Sequence, residues 1–334
     1  MAKLSKRQLR DLIAASISGS GWGLLYLSGA NEHPFRLLVY REGESYPVKM
    51  YVWNISHGGG ARRPADEYRI QITGVDQFEP EAGSDRARTL ILGYWDDHEV
   101  FAGFDVRKHV GHLGFSPSMQ IRQHYLVDAL ANGFAFCPKD NGEVAVAFRP
   151  DLMGDYIRDW TALHDLGATP DILPVVTGAV QTTVAGGVPD LAGMPAQRQT
   201  AVRMVTEKVR DAGFRKRVIA AYEHRCAFCG VQMDLIDAAH IVPVGHPQST
   251  DETTNGVSLC ALHHRAFDKS LVTFDHRWRI RVSNREVNRL RQAGHDGGLP
   301  EFRTGLRDVI VLPADPMLRP RADYLNLANT HRGW

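Results

Sequence analysis

Hydrophobic and polar positions recur with two different periods along the first half of the chain, and the period separates helices from strands. Residues 6–17 (KRQLRDLIAASI) place Leu9, Leu12, Ile13 and Ile17 on one face at helical spacing, which predicts an amphipathic helix. Apolar runs bounded by Gly, Pro, Asp and Ser predict strands at 36–40, 48–54, 68–73, 89–94, 99–104 and 143–148. Further helices are predicted at 118–130 and 151–164. Residues 1–168 are therefore expected to form a mixed α+β domain.

A change in composition follows this domain. Residues 169–199 are rich in Gly, Pro and small residues, with few large apolar residues at a helical period, which predicts a linker. A basic helix at about 199–222 and a hairpin at 271–283 are predicted in the last segment, residues 200–334. The expected fold class is α+β, with two domains joined by the linker.

Composition narrows the class of protein. The chain has 334 residues, of which 43% are hydrophobic and 23% charged, which is typical of globular domains. No run approaches the roughly 18 apolar residues of a membrane span, and the N-terminus has no recognisable secretory signal. Because four cysteines are too few for a disulfide scaffold of this length, we expect a cytoplasmic protein without a membrane partner.

The net charge of +1, from 39 Lys and Arg against 38 Asp and Glu, conceals an uneven distribution. Residues 201–292 carry 15 basic against 10 acidic side chains, a net charge of +5, whereas the rest of the chain has a net charge of −4. A basic segment joined to a mildly acidic one is compatible with a nucleic-acid partner, although the chain as a whole is not basic.

Three of the four cysteines lie in this basic segment at the spacing of metal ligands. Cys226 and Cys229 form a C-x2-C pair, and Cys260 and His263 form a C-x2-H pair further along. Four such ligands complete a tetrahedral structural zinc site, so we expect Zn2+ there. The alternative is a reduced C-x-x-C pair with Cys260 buried nearby.

The remaining polar residues of the segment supply candidate catalytic groups. His264 and Asp268, at i and i+4, share one face of a helix and can both bind a divalent cation such as Mg2+, Mn2+ or Ni2+. His240 ends an apolar strand-like run and, because imidazole titrates near neutrality, can deprotonate a water molecule. Asn255 can fix the orientation of that imidazole by hydrogen bonding near its strand. A base opposite a metal ion suits in-line attack on phosphorus, with the metal stabilising the phosphorane and the leaving oxygen.

The segments AAHIVPV, TTNGVSLC and ALHHRAFDKSL resemble the HNH nuclease family, whose fold is the ββα-metal module. The resemblance covers about residues 215–285 and is to the branch found in modification-dependent and other bacterial restriction endonucleases. It implies that His240 is the general base, Asn255 the positioning asparagine and His264 the metal-binding histidine. Asp268 stands where many members of the family place a further ligand.

One position departs from the pattern of the family. Many relatives carry Asp or His immediately before the base, as a metal ligand, and here that position is Ala239. The metal is therefore expected to rely on His264, Asp268 and water, or on Asp237 from nearby.

Basic residues around these motifs are expected to contact DNA phosphates, which position a duplex without recognising its sequence. They are Arg215, Lys216, Arg217, Arg265, Lys269, Arg279 and Arg281. A glycine-rich loop at 54–69 adds Arg62 and Arg63 as candidate contacts in the first domain.

The resemblance also implies that the first domain chooses the target, because family members often join a reader of modified bases to the nuclease. We expect recognition of 5-methylcytosine. Aromatic walls with a carboxylate suit a pocket for a flipped cytosine. The candidate residues are Tyr94, Trp95, Asp97, His98 and Asp105, although aromatic residues in such runs are also typical of a hydrophobic core.

The sequence thus predicts a restriction endonuclease that hydrolyses modified double-stranded DNA by a one-metal mechanism. One alternative is a sequence-specific restriction or nicking nuclease for unmodified DNA. Another is a non-catalytic, zinc-containing DNA-binding protein, which would need neither His240 nor His264. A single nuclease site per chain implies either nicking or two chains acting together as a homodimer.

Overall fold

The computed structural model describes residues 3–29, 31–58, 63–78, 87–166, 172–184 and 187–334. Contacts divide the chain into two compact units, Met1–Ala212 (unit 1) and Gly213–Trp334 (unit 2). The division falls inside helix α5 (Ala196–Ala221), which corresponds to the basic helix predicted at 199–222. No helix among the described residues has the length and apolar character needed to cross a membrane.

Unit 1 is built on a mixed β-sheet. Its strands are β1 (Gly23–Tyr26), β2 (Phe35–Arg41), β3 (Glu44–His57), β4 (Glu67–Gln71), β5 (Gln77–Phe78), β6 (Arg88–Trp95), β7 (Val100–Phe104), β8 (Gly111–His112), β9 (Ser118–Arg122), β10 (Phe134–Pro138) and β11 (Val144–Phe148). Nine of these described strands form one sheet in the order β1-β2-β3-β6-β7-β11-β10, and β4 joins β3 to β9. β3 and β6 are parallel, whereas the other paired neighbours are antiparallel.

Helices α1 (Lys6–Gly19), α2 (Gln123–Asn132) and α3 (Met153–Asp165) pack against this sheet. α1 buries Leu9, Ile13 and Ile17, as the helical period predicted, and it begins with a capping box in which Ser5 and Gln8 each bond the other's backbone. The central strands β6 and β7 are buried along almost their whole length. Continuous burial explains why their sequences are nearly uniformly apolar.

The helix predicted at 118–130 is partly wrong. Its first five residues form strand β9, in which Met119 and Ile121 are buried and the intervening side chains are not. That period of two matches a half-buried strand, and β9 pairs with β4 with Tyr68 opposite Ile121. Helix α2 begins only at Gln123.

The linker predicted at 169–199 is also partly wrong. Helix α4 (Ile172–Val184) lies within it and buries Ile172, Leu173, Val176 and Val180 in the core of unit 1. These positions do have helical spacing, but Pro174 and Gly178 obscured the pattern in the sequence. Since Pro174 lies in the first turn, where no intrahelical donor is lost, the helix tolerates it.

Unit 2 begins with the last residues of α5 and contains a compact ββα module. Its remaining elements are β12 (Ile236–His240), β13 (Gly256–Cys260), α6 (Ala261–Asp268), β14 (Val272–Phe274), β15 (Ile280–Val282), α7 (Asn284–Gln292), α8 (Leu299–Thr304) and α9 (Ala322–Arg332). β12 and β13 are antiparallel, and α6 follows β13 without a loop. The predicted α+β class and ββα order are confirmed, and β14 and β15 form the predicted hairpin.

A close approach between α5 and β13 shapes this module. Gly256 lies opposite His240 in the strand pair. A Cβ atom at Gly256 would lie 2.3 Å from Val218 Cγ2 and 3.0 Å from the ring of Phe214. Glycine at this position therefore allows the C-terminal end of α5 to pack directly over the end of the two strands.

Candidate active site and metal centres

The four predicted zinc ligands come together in unit 2. The ligand atoms of Cys226, Cys229, Cys260 and His263 all lie within 4.8 Å of one another. His263 Nδ1 lies 3.4 Å from Cys226 Sγ and 3.3 Å from Cys260 Sγ. Zn–S and Zn–N bonds of usual length give tetrahedral S···N separations of about 3.6 Å, so this donor set fits a zinc ion.

The protonation of these groups also fits a metal centre. Burial raises the pKa of the Cys226, Cys229 and Cys260 thiols and lowers the pKa of His263. Without a cation the burial of three thiolates is unfavourable, whereas a divalent metal compensates their charge. A neutral His263 keeps a lone pair for the metal.

The loop between the first two cysteines has the geometry of a tight knuckle. The Gly230 amide donates to the Cys226 carbonyl at 2.8 Å, and the Cys226 amide donates to the Val231 carbonyl at 2.8 Å. Gly230 has a φ of +81°, and a Cβ there would lie 2.7 Å from Arg307 Nη2. The positive φ favours glycine immediately after Cys229, whereas the flexible end of Arg307 could move away from a Cβ.

His240 ends β12 and is held on two sides. Its Nε2 lies 2.9 Å from Asp251 Oδ1, and its ring stacks on Phe214 with centroids 3.7 Å apart and planes inclined by 12°. A carboxylate only accepts hydrogen bonds, so His240 donates from Nε2, and in the neutral imidazole Nδ1 then has a lone pair. The side chain is 14% exposed, which leaves it accessible to a water molecule.

Asn255 is fully buried and organises the loop that carries Asp251. Its Oδ1 accepts from the Val242 amide at 2.9 Å, and its Nδ2 donates to the Thr250 carbonyl at 2.8 Å. Its backbone carbonyl accepts from the Ile241 amide at 2.8 Å. Asn255 therefore hydrogen bonds next to the strand of His240, and it is linked to the imidazole through the loop rather than by direct contact.

His264 lies on α6 between two carboxylates. Its Nδ1 is 4.0 Å from Asp237 Oδ2, and its Nε2 is 3.6 Å from Asp268 Oδ2. The two carboxylates thus face different ring nitrogens. Asp237 and Asp268 are 50% and 54% exposed, so a cation bound to either nitrogen keeps room for several waters. This donor set suits a hydrated, hard divalent ion.

Ala239, the departure from the family pattern, is 1% exposed in the core of unit 2. A carboxylate at position 239 would therefore be buried. Asp237, two residues earlier in the same strand, offers a carboxylate near His264 instead.

The predicted DNA-contacting residues occupy several environments. Arg215 donates from Nε to Asp237 Oδ1 at 2.9 Å, and Arg217 donates from Nη2 to the Asp251 carbonyl at 2.8 Å, so both contact the catalytic region. Arg63 pairs with Glu67 in unit 1. Arg62 lies outside the described residues. The others are exposed on unit 2, and they are Lys216, Arg265, Lys269, Arg279 and Arg281.

The residues predicted to line a base pocket are brought together only in part, through the contact of the Trp95 and His98 rings, whose centroids lie 4.2 Å apart. Tyr94 and Trp95 are 2% and 3% exposed and pack on Phe101 and Tyr68, whose ring centroids lie 4.8 Å and 5.1 Å away, respectively. These two rings belong to the core of the sheet. Asp97 and His98 are exposed in the β6–β7 turn. Asp105 is buried and pairs with Arg107.

Asp251 and Phe214 are the two residues around His240 that the sequence interpretation missed. Neither lies within the motif segments, and each reaches His240 only through the tertiary fold. An acidic residue a few positions before the Asn-Gly pair was visible in the sequence, but its spacing from His240 carries no local signal.

Comparison with known proteins adds two family matches. Residues 47–157 match the family described as Methylase-associated X1, and residues 226–275 match the family described as HNH endonuclease. A solved structure described as a modification dependent TagI restriction endonuclease is 13% identical, covering 86% of this chain and 81% of that chain. Its TM-score of 0.28 is too low to establish a shared fold. No curated protein matches the chain.

The HNH match coincides with the ββα module described above. It spans β12, β13 and α6, together with His240, Asn255, His264 and the four clustered Cys and His residues. The family match and the module agree on the same segment. Residues 226–275 are an HNH endonuclease domain, and the chain is a DNA endonuclease that joins this domain to a methylase-associated X1 domain.

Proposed function

We propose that this endonuclease is a restriction enzyme directed to modified DNA, with 5-methylcytosine as the recognised base, and that it cleaves by a one-metal mechanism with His240 as general base. The observation that carries the catalytic proposal is the environment of His240, whose Nε2 bonds a carboxylate while Nδ1 keeps a lone pair. The presence of a methylase-associated X1 domain beside the nuclease domain supports the proposal on target choice.

His240 takes a proton from the attacking water at Nδ1. The Asp251 carboxylate keeps the Nε2 proton in place and stabilises the imidazolium that forms, because an opposite charge lies 2.9 Å from Nε2. Stacking on Phe214 fixes the plane of the ring. The histidine is thus oriented before substrate binds, which lowers the reorganisation needed in the reaction.

The residues near His264 fit a catalytic divalent cation. His264 would hold it with Asp237 or with Asp268, and water would complete the coordination. When bound, such an ion acts as a Lewis acid that stabilises negative charge on the phosphate and the leaving oxygen. Asp237 Oδ1 already accepts bonds from Arg215 and from the Ala238 amide, so its Oδ2 is the atom presented to His264.

Replacing Asp251 with alanine is expected to lower kcat with little change in KM. The hydrogen bond to a charged group is worth about 1.5–3 kcal/mol, which corresponds to roughly a 10- to 150-fold loss of rate. Steady-state cleavage of a short duplex checks this, and Asp251→Asn should lie between alanine and wild type. A change in KM alone, at unchanged kcat, would show that Asp251 does not act on His240.

Target choice is proposed to lie in unit 1. A ββα module contacts mainly the DNA backbone, and phosphate contacts carry little sequence information. The N-terminal unit contains the family match that is not a nuclease, and it has its own hydrophobic core. It can therefore present a recognition surface independently of the catalytic module.

Cleavage of two plasmids of identical sequence, one carrying 5-methylcytosine and one unmodified, tests this proposal. We expect the methylated plasmid to be cut at least about 10-fold faster, since one extra methyl group in a fitted pocket is worth about 1–3 kcal/mol. The ratio of nicked to linear product reports whether chains act singly or as the proposed homodimer. Equal rates on both plasmids would favour the alternative of a nuclease for unmodified DNA.

A further inference from the structure

A second basic surface of unit 2 lies outside the catalytic groups. It is a cleft of about 600 Å³ between the β14–β15 hairpin and the segment that follows α8. Four exposed arginines line it, and they are Arg279, Arg281, Arg303 and Arg307. Asp308 is the one carboxylate in the lining, and aliphatic side chains such as Ile280 and Leu306 separate the charges. Arg303 and Arg307 are 22 or more positions away from Arg279 and Arg281 in the sequence.

Backbone hydrogen bonds hold the two walls of this arginine cleft together. The Ile280 amide donates to the Asp308 carbonyl at 3.0 Å, and the Ile310 amide donates to the Trp278 carbonyl at 2.9 Å. The same segment contacts the loop between Cys226 and Cys229, because the Arg307 amide donates to the Phe228 carbonyl at 2.9 Å. The arginines therefore lie on segments that backbone hydrogen bonds hold in place.

The charge of the cleft is largely uncompensated. Arg281 donates from Nε and Nη2 to Asp275 Oδ2, at 3.1 Å and 2.9 Å. Within the ranges that the structure describes, no ion pair engages Arg279, Arg303 or Arg307. Arg279, Arg303 and Arg307 can therefore donate to an anionic ligand without first breaking an ion pair.

We propose that the arginine cleft binds the phosphodiester backbone of the DNA substrate, as a docking surface additional to the catalytic groups. This inference rests on the proposed nuclease function. Guanidinium groups match phosphate oxygens in charge and in paired hydrogen-bond geometry. The aliphatic residues between the arginines match the deoxyribose between successive phosphates, which favours a polynucleotide over a free phosphate ion.

The test compares two double variants that remove the same charge. The double variant Arg303→Ala/Arg307→Ala removes both arginines from one wall of the cleft. Arg289→Ala with Arg291→Ala removes two exposed arginines of α7 that pair with Glu286 and Asp296 outside the cleft. Binding of a fluorescent duplex to the full chain is measured by anisotropy over a range of salt concentrations, without a catalytic metal.

We expect the Arg303→Ala/Arg307→Ala variant (the cleft pair) to weaken DNA binding at least roughly 10-fold. The slope of log affinity against log salt concentration should fall by about two, since each lost phosphate contact removes about one. The Arg289→Ala/Arg291→Ala variant (the α7 pair) should change the affinity and the salt slope much less. Lysine at positions 303 and 307 should restore most of the affinity, which separates lost charge from misfolding.

Equal affinity and salt slope for the two alanine pairs would overturn the arginine cleft as a docking surface. Failure of the lysine pair to restore binding in a folded protein with normal zinc content would overturn it as well. If the wild type cleaves DNA while the cleft pair binds normally, only this inference fails. If the wild type neither binds nor cleaves DNA, the proposed function fails with it.

Discussion

Replacing His240 with alanine is expected to lower the rate of DNA cleavage by about 10²- to 10⁴-fold, the usual contribution of a positioned general base. The side chain ends β12, is 14% exposed and stacks on the buried ring of Phe214, so its loss removes the proton acceptor together with one packing contact of the core of unit 2. DNA binding and zinc content should stay close to those of wild type, whereas thermal stability should fall modestly. Single-turnover cleavage of a saturating duplex measures the effect on chemistry alone.

A matched control is available in the same unit. His276 is exposed in the turn between β14 and β15, so His276→Ala removes an imidazole from the surface without touching the proposed site. Its cleavage rate should equal that of wild type. A His240→Ala variant that cleaves as fast as His276→Ala would exclude His240 as the base.

Loss of the zinc centre is expected to unfold unit 2. Cys226 is 0% exposed, and the hydrophobic core of unit 2 includes Cys226, Cys260 and their neighbour Phe228. A structural zinc ion contributes about 10–16 kcal/mol to folding at neutral pH, comparable with the whole stability of a typical domain. Cys226→Ser should therefore abolish both zinc binding and cleavage.

The measurement combines zinc content with thermal unfolding. Wild type should hold one zinc ion per chain, and Cys226→Ser should hold none and lose the part of the unfolding transition that belongs to unit 2. Cys137→Ala is the control, because Cys137 is buried in unit 1, away from the cluster. A Cys226→Ser variant with full zinc content and unchanged unfolding would contradict the assigned ligands.

The cluster of three cysteines with His263 and the ββα order could be predicted from the sequence because the signals are local. Cys226 and Cys229 lie on one tight knuckle, and Cys260 and His263 lie at the start of α6. Their spacing within each pair fixes the direction of both side chains. The pairing of His264 with Asp268 was predictable for the same reason, since residues at i and i+4 share a helical face.

Asp251 could not be predicted because its contact with His240 depends on the course of a loop. The loop from Ile241 to Thr254 returns to the end of β12 through the hydrogen bonds of Asn255 to Val242 and Thr250. Nothing in the spacing of 11 residues between His240 and Asp251 specifies that return. The arginine cleft is similar, since Arg303 and Arg307 meet the hairpin only in the folded unit.

The base-pocket candidates show a different limit of the sequence pattern. An aromatic pair at the end of a strand has the same sequence pattern whether it lines a pocket or fills a core. Tyr94 packs against Phe101 and Trp95 packs against Tyr68, so both side chains belong to the hydrophobic core. The segment 172–184 shows the opposite case, because its glycine and proline are typical of a linker although its apolar positions have helical spacing.

The site around His240 and His264 is proposed to cleave DNA with the aid of a divalent cation. Its most direct test is the conversion of supercoiled plasmid by the zinc-loaded wild-type protein, with and without added Mg2+, Mn2+ or Ni2+, on methylated and unmethylated DNA. We predict nicked or linear product only when one of these ions is added. Equal cleavage without added metal, or no cleavage of either plasmid with any of the three ions, would contradict the claim.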